Sequence, residues 1–79
     1  MNNDQQAMLE VIARHVRRDA VALQETEALA DLDIDSLKFI VIVLEIEQTL
    51  QRSIFDVDNV GRLKTIGDIL SLAGDPVGA

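Results

Sequence analysis

From Leu37 to Leu44 the chain is apolar at every position except Lys38, and it then turns amphipathic as far as Gln51. At the helical repeat, Phe39, Val43, Ile46 and Leu50, with Ile42 beside them, make one stripe. Lys38, Glu45 and Thr49 bound that stripe on one side. Glu47, Gln48 and Gln51 bound it on the other, in the second half only. Leu37, Ile40, Val41 and Leu44 point away from it. A helix whose first two turns are apolar nearly all round is either buried on both sides or leaves a patch in water. A chain of 79 residues buries only about 60% of the surface that its unfolded form exposes. Covering every side of one helix is therefore difficult, and the exposed patch is the favoured reading.

The rest of the composition narrows the fold to one small helical domain spanning 1–79. There is no cysteine, so neither a disulfide nor a cysteine-based metal site is available. A domain this small without such staples is most readily built from local helix–helix contacts. Hydrophobic content of 48% with only 3% aromatic residues gives an aliphatic core and no platform for stacking bases. A net charge of −7 repels phosphate backbones and favours basic partner surfaces. No nucleic-acid partner is expected. No apolar run is long enough to span a bilayer. The start Met1-Asn2-Asn3-Asp4 has neither a basic nor an apolar leader pattern, which reads as an unprocessed cytoplasmic beginning.

Taken in order, residues 4–18 read as a first helix, capped by Asn3 or Asp4. Met8, Leu9, Ile12 and Val16 share its inner face, and Arg14, Arg17 and Arg18 gather where the helix dipole favours cations. The bases around His15 are either a solvated helix end, the favoured reading, or a small docking patch. Residues 19–35 have no sustained period and read as a long loop, a length usually kept for function. Its Val21, Leu23, Leu29, Leu32 and Ile34 are expected to pin it over the bundle, and Thr26 to start a short turn. Asp35 caps the second helix, Ser36 or Leu37 to about Gln51, and leaves Ser36 exposed in its first turn. Asp56 caps a short third helix, Val57 to about Val60, ended by Gly61. Thr65 starts the fourth, Ile66 to Ala73, with Ile66, Ile69, Leu70 and Ala73 facing inward. Gly74 stops it, and 74–79 is a frayed tail. The expected architecture is all-α: a four-helix bundle of three main helices and a short third one, with a long first loop.

Ser36 is the candidate for chemistry. As a nucleophile it lacks the Gly-x-Ser-x-Gly elbow. His15 lies far along the chain, and Lys38 points to another side of the helix. Asp31-x-Asp33-x-Asp35 has the spacing that opens a calcium loop, but its sixth position is Ser36 rather than glycine and its twelfth is Ile42 rather than glutamate. No metal site and no catalytic residue are assigned, and the chain is read as a non-enzyme. The remaining reading is modification of Ser36 by another enzyme. The free N–H groups and positive dipole end of a helix start suit a phosphodiester.

Asp35-Ser36-Leu37, preceded by Leu32 and Asp33 and followed by an apolar helix, resembles the attachment site of acyl carrier proteins. The likeness spans nearly the whole chain, including Ile54-x-Asp56 before the third helix and Thr65-Ile66-Gly67-Asp68 at the fourth. It implies a 4′-phosphopantetheine arm on Ser36, flanked by Asp35 and Leu37, whose thiol carries acyl groups as thioesters. It implies an acyl pocket lined by Phe39, Val43, Ile46, Val60, Leu63 and Ile69. It also implies a docking face of Leu37, Lys38, Ile40, Val41, Leu44, Glu45 and Glu47. The partners implied are a phosphopantetheinyl transferase and a loading ligase, ketosynthase or acyltransferase; the carrier itself is expected to be a monomer without membrane insertion.

The chain departs from the family pattern at several positions. Asp33 replaces a usual glycine, so the turn there is expected to be less tight or of another geometry. Lys38 and Val41 stand where acids are common, Phe55 replaces a frequent proline, and Phe39 is bulky for a pocket. These departures point to a specialised carrier for fatty-acid, lipid or polyketide-type synthesis rather than a housekeeping one. A carrier of aminoacyl or other small acids, loaded by an adenylating ligase, and an unmodified helical interaction module remain the alternatives.

Overall fold

The computed structural model describes residues 2–73, with Val57 and Asn59 described by backbone alone. Four α-helices follow in order: α1 (Asn3–Val16), α2 (Ser36–Leu50), α3 (Val57–Val60) and α4 (Ile66–Leu70). The expected stop at Gly74 and tail 74–79 lie outside the described residues.

Helix α1 is capped by Asn2, one residue before the expected Asn3 or Asp4. The reason is Gln5: the Asn2 side chain accepts from Gln5 N–H at 2.7 Å while the Gln5 side chain accepts from Asn2 N–H at 3.0 Å. The helix ends at Val16 rather than residue 18, because Arg17 turns left-handed (φ 59°, ψ 43°) and Arg18 N–H reaches back to the carbonyl of Ala13. The cap end of α1 also closes the end of α4: Gln5 Nε2 donates to the Leu70 carbonyl and Asn2 Nδ2 to that of Ala73.

The connection to α2 is long, as expected, but carries two short 3₁₀ turns, Ala20–Ala22 and Leu29–Leu32. Leu23, Leu29 and Leu32 are buried and Ile34 half-buried, whereas Val21 projects into water at 94% exposure and pins nothing. Thr26 lies inside a turn closed by Glu27 N–H on the Gln24 carbonyl. Backbone bonds fasten this connection to the start of α4: Leu29 N–H to the Lys64 carbonyl, Ile66 N–H to Glu27 and Gly67 N–H to Glu25.

Helix α4 begins with a reciprocal cap between Thr65 and Asp68. The N–H groups of Lys64 and then Thr65 hold the Asp68 carboxyl below the ordinary aspartate range. Its expected last turn, Ser71–Ala73, tightens to 3₁₀ geometry.

The core is aliphatic. Met8, Val11 and Ile12 of α1 meet Ile42 and Ile46 of α2 and Ile66, Ile69 and Leu70 of α4. Its α2 contribution centres on Ile42 and Ile46; of the rest of the expected stripe, Phe39 and Leu50 are half-buried against its edge and Val43 is half-buried. Among the described residues no helix is long and apolar enough to cross a membrane.

Candidate functional site

The site is built by the turn into α2. Asp33 closes the second 3₁₀ turn in left-handed geometry (φ 60°, ψ 33°). That is the conformation glycine adopts most cheaply, so the aspartate keeps a tight turn instead of opening it. Asp35 follows in extended geometry, and its Oδ1 accepts from Lys38 N–H at 2.8 Å. This cap fixes Ser36 as the first residue of a 15-residue helix. The Ser36 side chain is exposed, and its hydroxyl makes no hydrogen bond among the described residues. Leu37 beside it is 72% exposed.

Ser36 and Asp35 form the rim of an open groove of about 360 Å³ whose walls are Leu29, Ile34, Phe39, Ile40, Val60 and Leu63. Of the residues expected to form an acyl pocket, Phe39, Val60 and Leu63 line this groove. Val43 lines a second one of about 420 Å³ farther along α2, with Glu47, Phe55, Asp56 and again Val60. Ile46 and Ile69 line neither; at 0% and 1% exposure they belong to the buried core, in one cluster with Met8, Val11 and Ile12 of α1. The expected lining is thus split between two grooves and the core.

The outer face of α2 is apolar. Leu37, Ile40, Val41 and Leu44 are exposed together, which settles the choice between a buried helix and an exposed patch. Lys38 is half-buried at its edge. The two acids expected on this face are paired with groups of other segments instead. Glu45 accepts from Arg14 and from His15 Nε2 of α1. The hydrogen bond from His15 first, then that from Arg14, holds its carboxyl below the ordinary glutamate range. Glu47 Oε2 accepts from the N–H groups of Ile54 and Phe55, each at 3.1 Å. Neither pairing is visible in the sequence, since both partners come from other segments. Arg18 pairs with Glu27, so of the bases near His15 only Arg17 has no side-chain partner among the described residues.

His15 is thus committed to Glu45, nine residues beyond Ser36 in α2, a separation on the order of 13 Å along a helix axis. Among the described residues no charged side chain is bonded to the Ser36 hydroxyl. What the arrangement offers is an accessible hydroxyl at the positive end of a helix, beside an apolar groove. Those features fit a tethered phosphodiester followed by a flexible arm: the unpaired helix-start N–H groups favour the anion, and the groove gives the arm or its load somewhere to lie.

A search of curated proteins finds no match to the chain. The family model described as a phosphopantetheine attachment site matches residues 6–73, from the first turn of α1 to the end of the last helical turn. The chain therefore belongs to the phosphopantetheine-attachment family of carrier proteins, and 4′-phosphopantetheine is the group it carries covalently.

Proposed function

We propose that this chain is an acyl carrier domain in which Ser36 is the attachment residue. The observation that carries this reading is the unbonded, exposed Ser36 hydroxyl, fixed by the Asp35 cap on the rim of an apolar groove. In the modification step Ser36 Oγ displaces the adenosine bisphosphate portion of coenzyme A at its pyrophosphate and loses its proton. When attached, the arm supplies a thiol that holds cargo as a thioester. The chain's own residues do the rest. Asp35 orders the first turn, the helix start stabilises the phosphodiester, and the groove shelters cargo. The Leu37, Ile40, Val41 and Leu44 face meets the enzymes that modify, load and unload it. The protein is then a cosubstrate and not a catalyst.

The docking face also supports the specialised role. With Glu45 and Glu47 paired to other segments and Lys38 at the edge, it offers partners an apolar surface rather than an acidic one. It suits a dedicated ligase, ketosynthase or acyltransferase whose complementary surface is apolar.

The test is intact mass after incubation with coenzyme A and a broad-specificity phosphopantetheinyl transferase. Wild type gains one phosphopantetheine and Ser36→Ala gains none. Failure of wild type beside a working control carrier would leave the helical interaction module in its place.

A further inference from the structure

The two grooves along α2 share a wall, and each is lined by one ring of an aromatic pair. Phe39 walls the groove at Ser36, Phe55 walls the one beyond it, and Val60 borders both. The two rings meet edge to face, with centroids 6.4 Å apart and planes at 87°. Both rings spring from fixed backbone. Phe39 is fixed to the helix that starts at Ser36, and the backbone of Phe55 is clamped by Glu47, two turns farther along the same helix. The inward route is closed as well, since Ile42, Ile46, Ile66 and Ile69 are at most 1% exposed.

We propose that the Phe39–Phe55 pair is a length gate that restricts the sheltered cargo on Ser36 to short acyl groups. The proposal rests on the reading of Ser36 as the attachment residue. The occupant follows from tethering: the arm on Ser36 starts at the rim of a groove whose other walls are aliphatic and aromatic, and its flexibility lets it fold an apolar load back into that groove. A short chain fills that groove and stops at the Phe39 ring. A longer chain must displace the pair to reach Val43, or lie in water. Phe39 is therefore a specificity residue acting on cargo, and Glu47 is a positioning residue that acts through Phe55.

The experiment is thioester hydrolysis on carriers loaded from the acetyl, butyryl, hexanoyl, decanoyl and tetradecanoyl coenzyme A thioesters, with loading verified first by intact mass. Shelter slows attack on the thioester, by up to about fourfold for each further methylene buried. In wild type the protection is expected to rise from acetyl to hexanoyl and then level off. In Phe39→Ala it is expected to keep rising through decanoyl, because the two grooves join. Phe39→Leu, which keeps an apolar packing group, shifts the plateau the same way and decides the matter if the alanine variant fails to fold. Protection that climbs unbroken to tetradecanoyl in wild type overturns the gate, as does a plateau at the same length in every variant. A wild type that gains no mass at all overturns the reading of Ser36 and the gate together, whereas full loading with an unshifted plateau overturns the gate alone.

Discussion

Oε1 of Glu45 lies 2.7 Å from Nε2 of His15, joining α2 to α1 across the outside of the core. A carboxylate only accepts, so Nε2 carries the proton in this bond. Arg14 donates to the other oxygen. The folded chain thus lowers the Glu45 pKa from its ordinary value of 4.5. A lowered folded-state pKa gives stability that is complete above the unfolded value and is lost as pH falls through the folded one. Glu45→Gln should cost about 0.5–1 kcal/mol at neutral pH, a magnitude kept small by solvent screening. Urea titrations of both proteins at pH 7 and pH 3 check this. The difference should shrink at the lower pH, and an equal gap at both would contradict the assignment.

Asp33 holds φ at 60° without being glycine. The left-handed region costs a side chain roughly 1–2 kcal/mol, with aspartate among the more tolerant residues. Asp33→Gly should therefore stabilise the fold by about 0.5 kcal/mol once the larger entropy of the unfolded glycine is subtracted. Asp33→Val should destabilise it by about 1–2 kcal/mol, since a branched side chain fits this region worst. Thermal melts of the three proteins order them directly: glycine above aspartate above valine.

Gly67 is needed for close approach. A Cβ there would sit 3.1 Å from both the Cβ and the backbone carbonyl oxygen of Glu25. Its own N–H donates to that same oxygen at 2.8 Å. Gly67→Ala gains helix propensity but forces the α1–α2 connection outward, for a net loss of about 1 kcal/mol. Hydrogen exchange should show faster opening at Leu29, Ile66 and residue 67, with α1 little changed. Unaltered exchange at those amides would show that the connection yields freely.

Asp35 tests the cap. Asp35→Ala removes the acceptor for Lys38 N–H and should cost about 1 kcal/mol, whereas Asp35→Asn keeps an acceptor and should cost only a few tenths. Denaturant midpoints separate the two. A midpoint for the alanine variant equal to wild type would mean that the first turn of α2 is held by something else.

The apolar face can be altered without touching the core. Leu37 and Leu44 are 72% and 56% exposed, so replacing both by glutamate should change stability by less than about 0.5 kcal/mol. Loss of two central contacts should raise the KM of the phosphopantetheinyl transferase by about tenfold or more. Steady-state kinetics with the doubly substituted carrier gives the answer. An unchanged KM would place the docking surface elsewhere.

Asp35, Ser36 and the exposed side of α2 were legible in the sequence because their causes are local. A cap acts on the next three residues, and a helical period reveals its faces wherever the helix sits. The Asn2 cap was misplaced by one residue because three candidate acceptors stand in a row and only Gln5 selects among them. Glu45 and Glu47 looked like surface acids on the wheel; their partners, Arg14, His15 and the Ile54–Phe55 backbone, are brought to them by tertiary packing. The same holds for Ile46 and Ile69, whose periodicity announces burial but not whether a core or a groove does the burying. Asp33 had a usable signal, since short polar side chains are the ones that tolerate left-handed backbone.

The bonds from Leu29 to Lys64 and from Ile66 to Glu27 tie the order of events during synthesis to the end of the chain. On a polypeptide emerging from the ribosome, Ser36 clears the exit well ahead of Lys64 and Thr65. Contacts this distant in sequence form late. The connection that leads into α2 is therefore unfastened on the nascent chain and gains its anchor only when α4 begins to appear. A transferase that reads the ordered turn, and not merely the Asp-Ser-Leu tripeptide, would in effect sense whether the start of α4 has docked before charging the carrier.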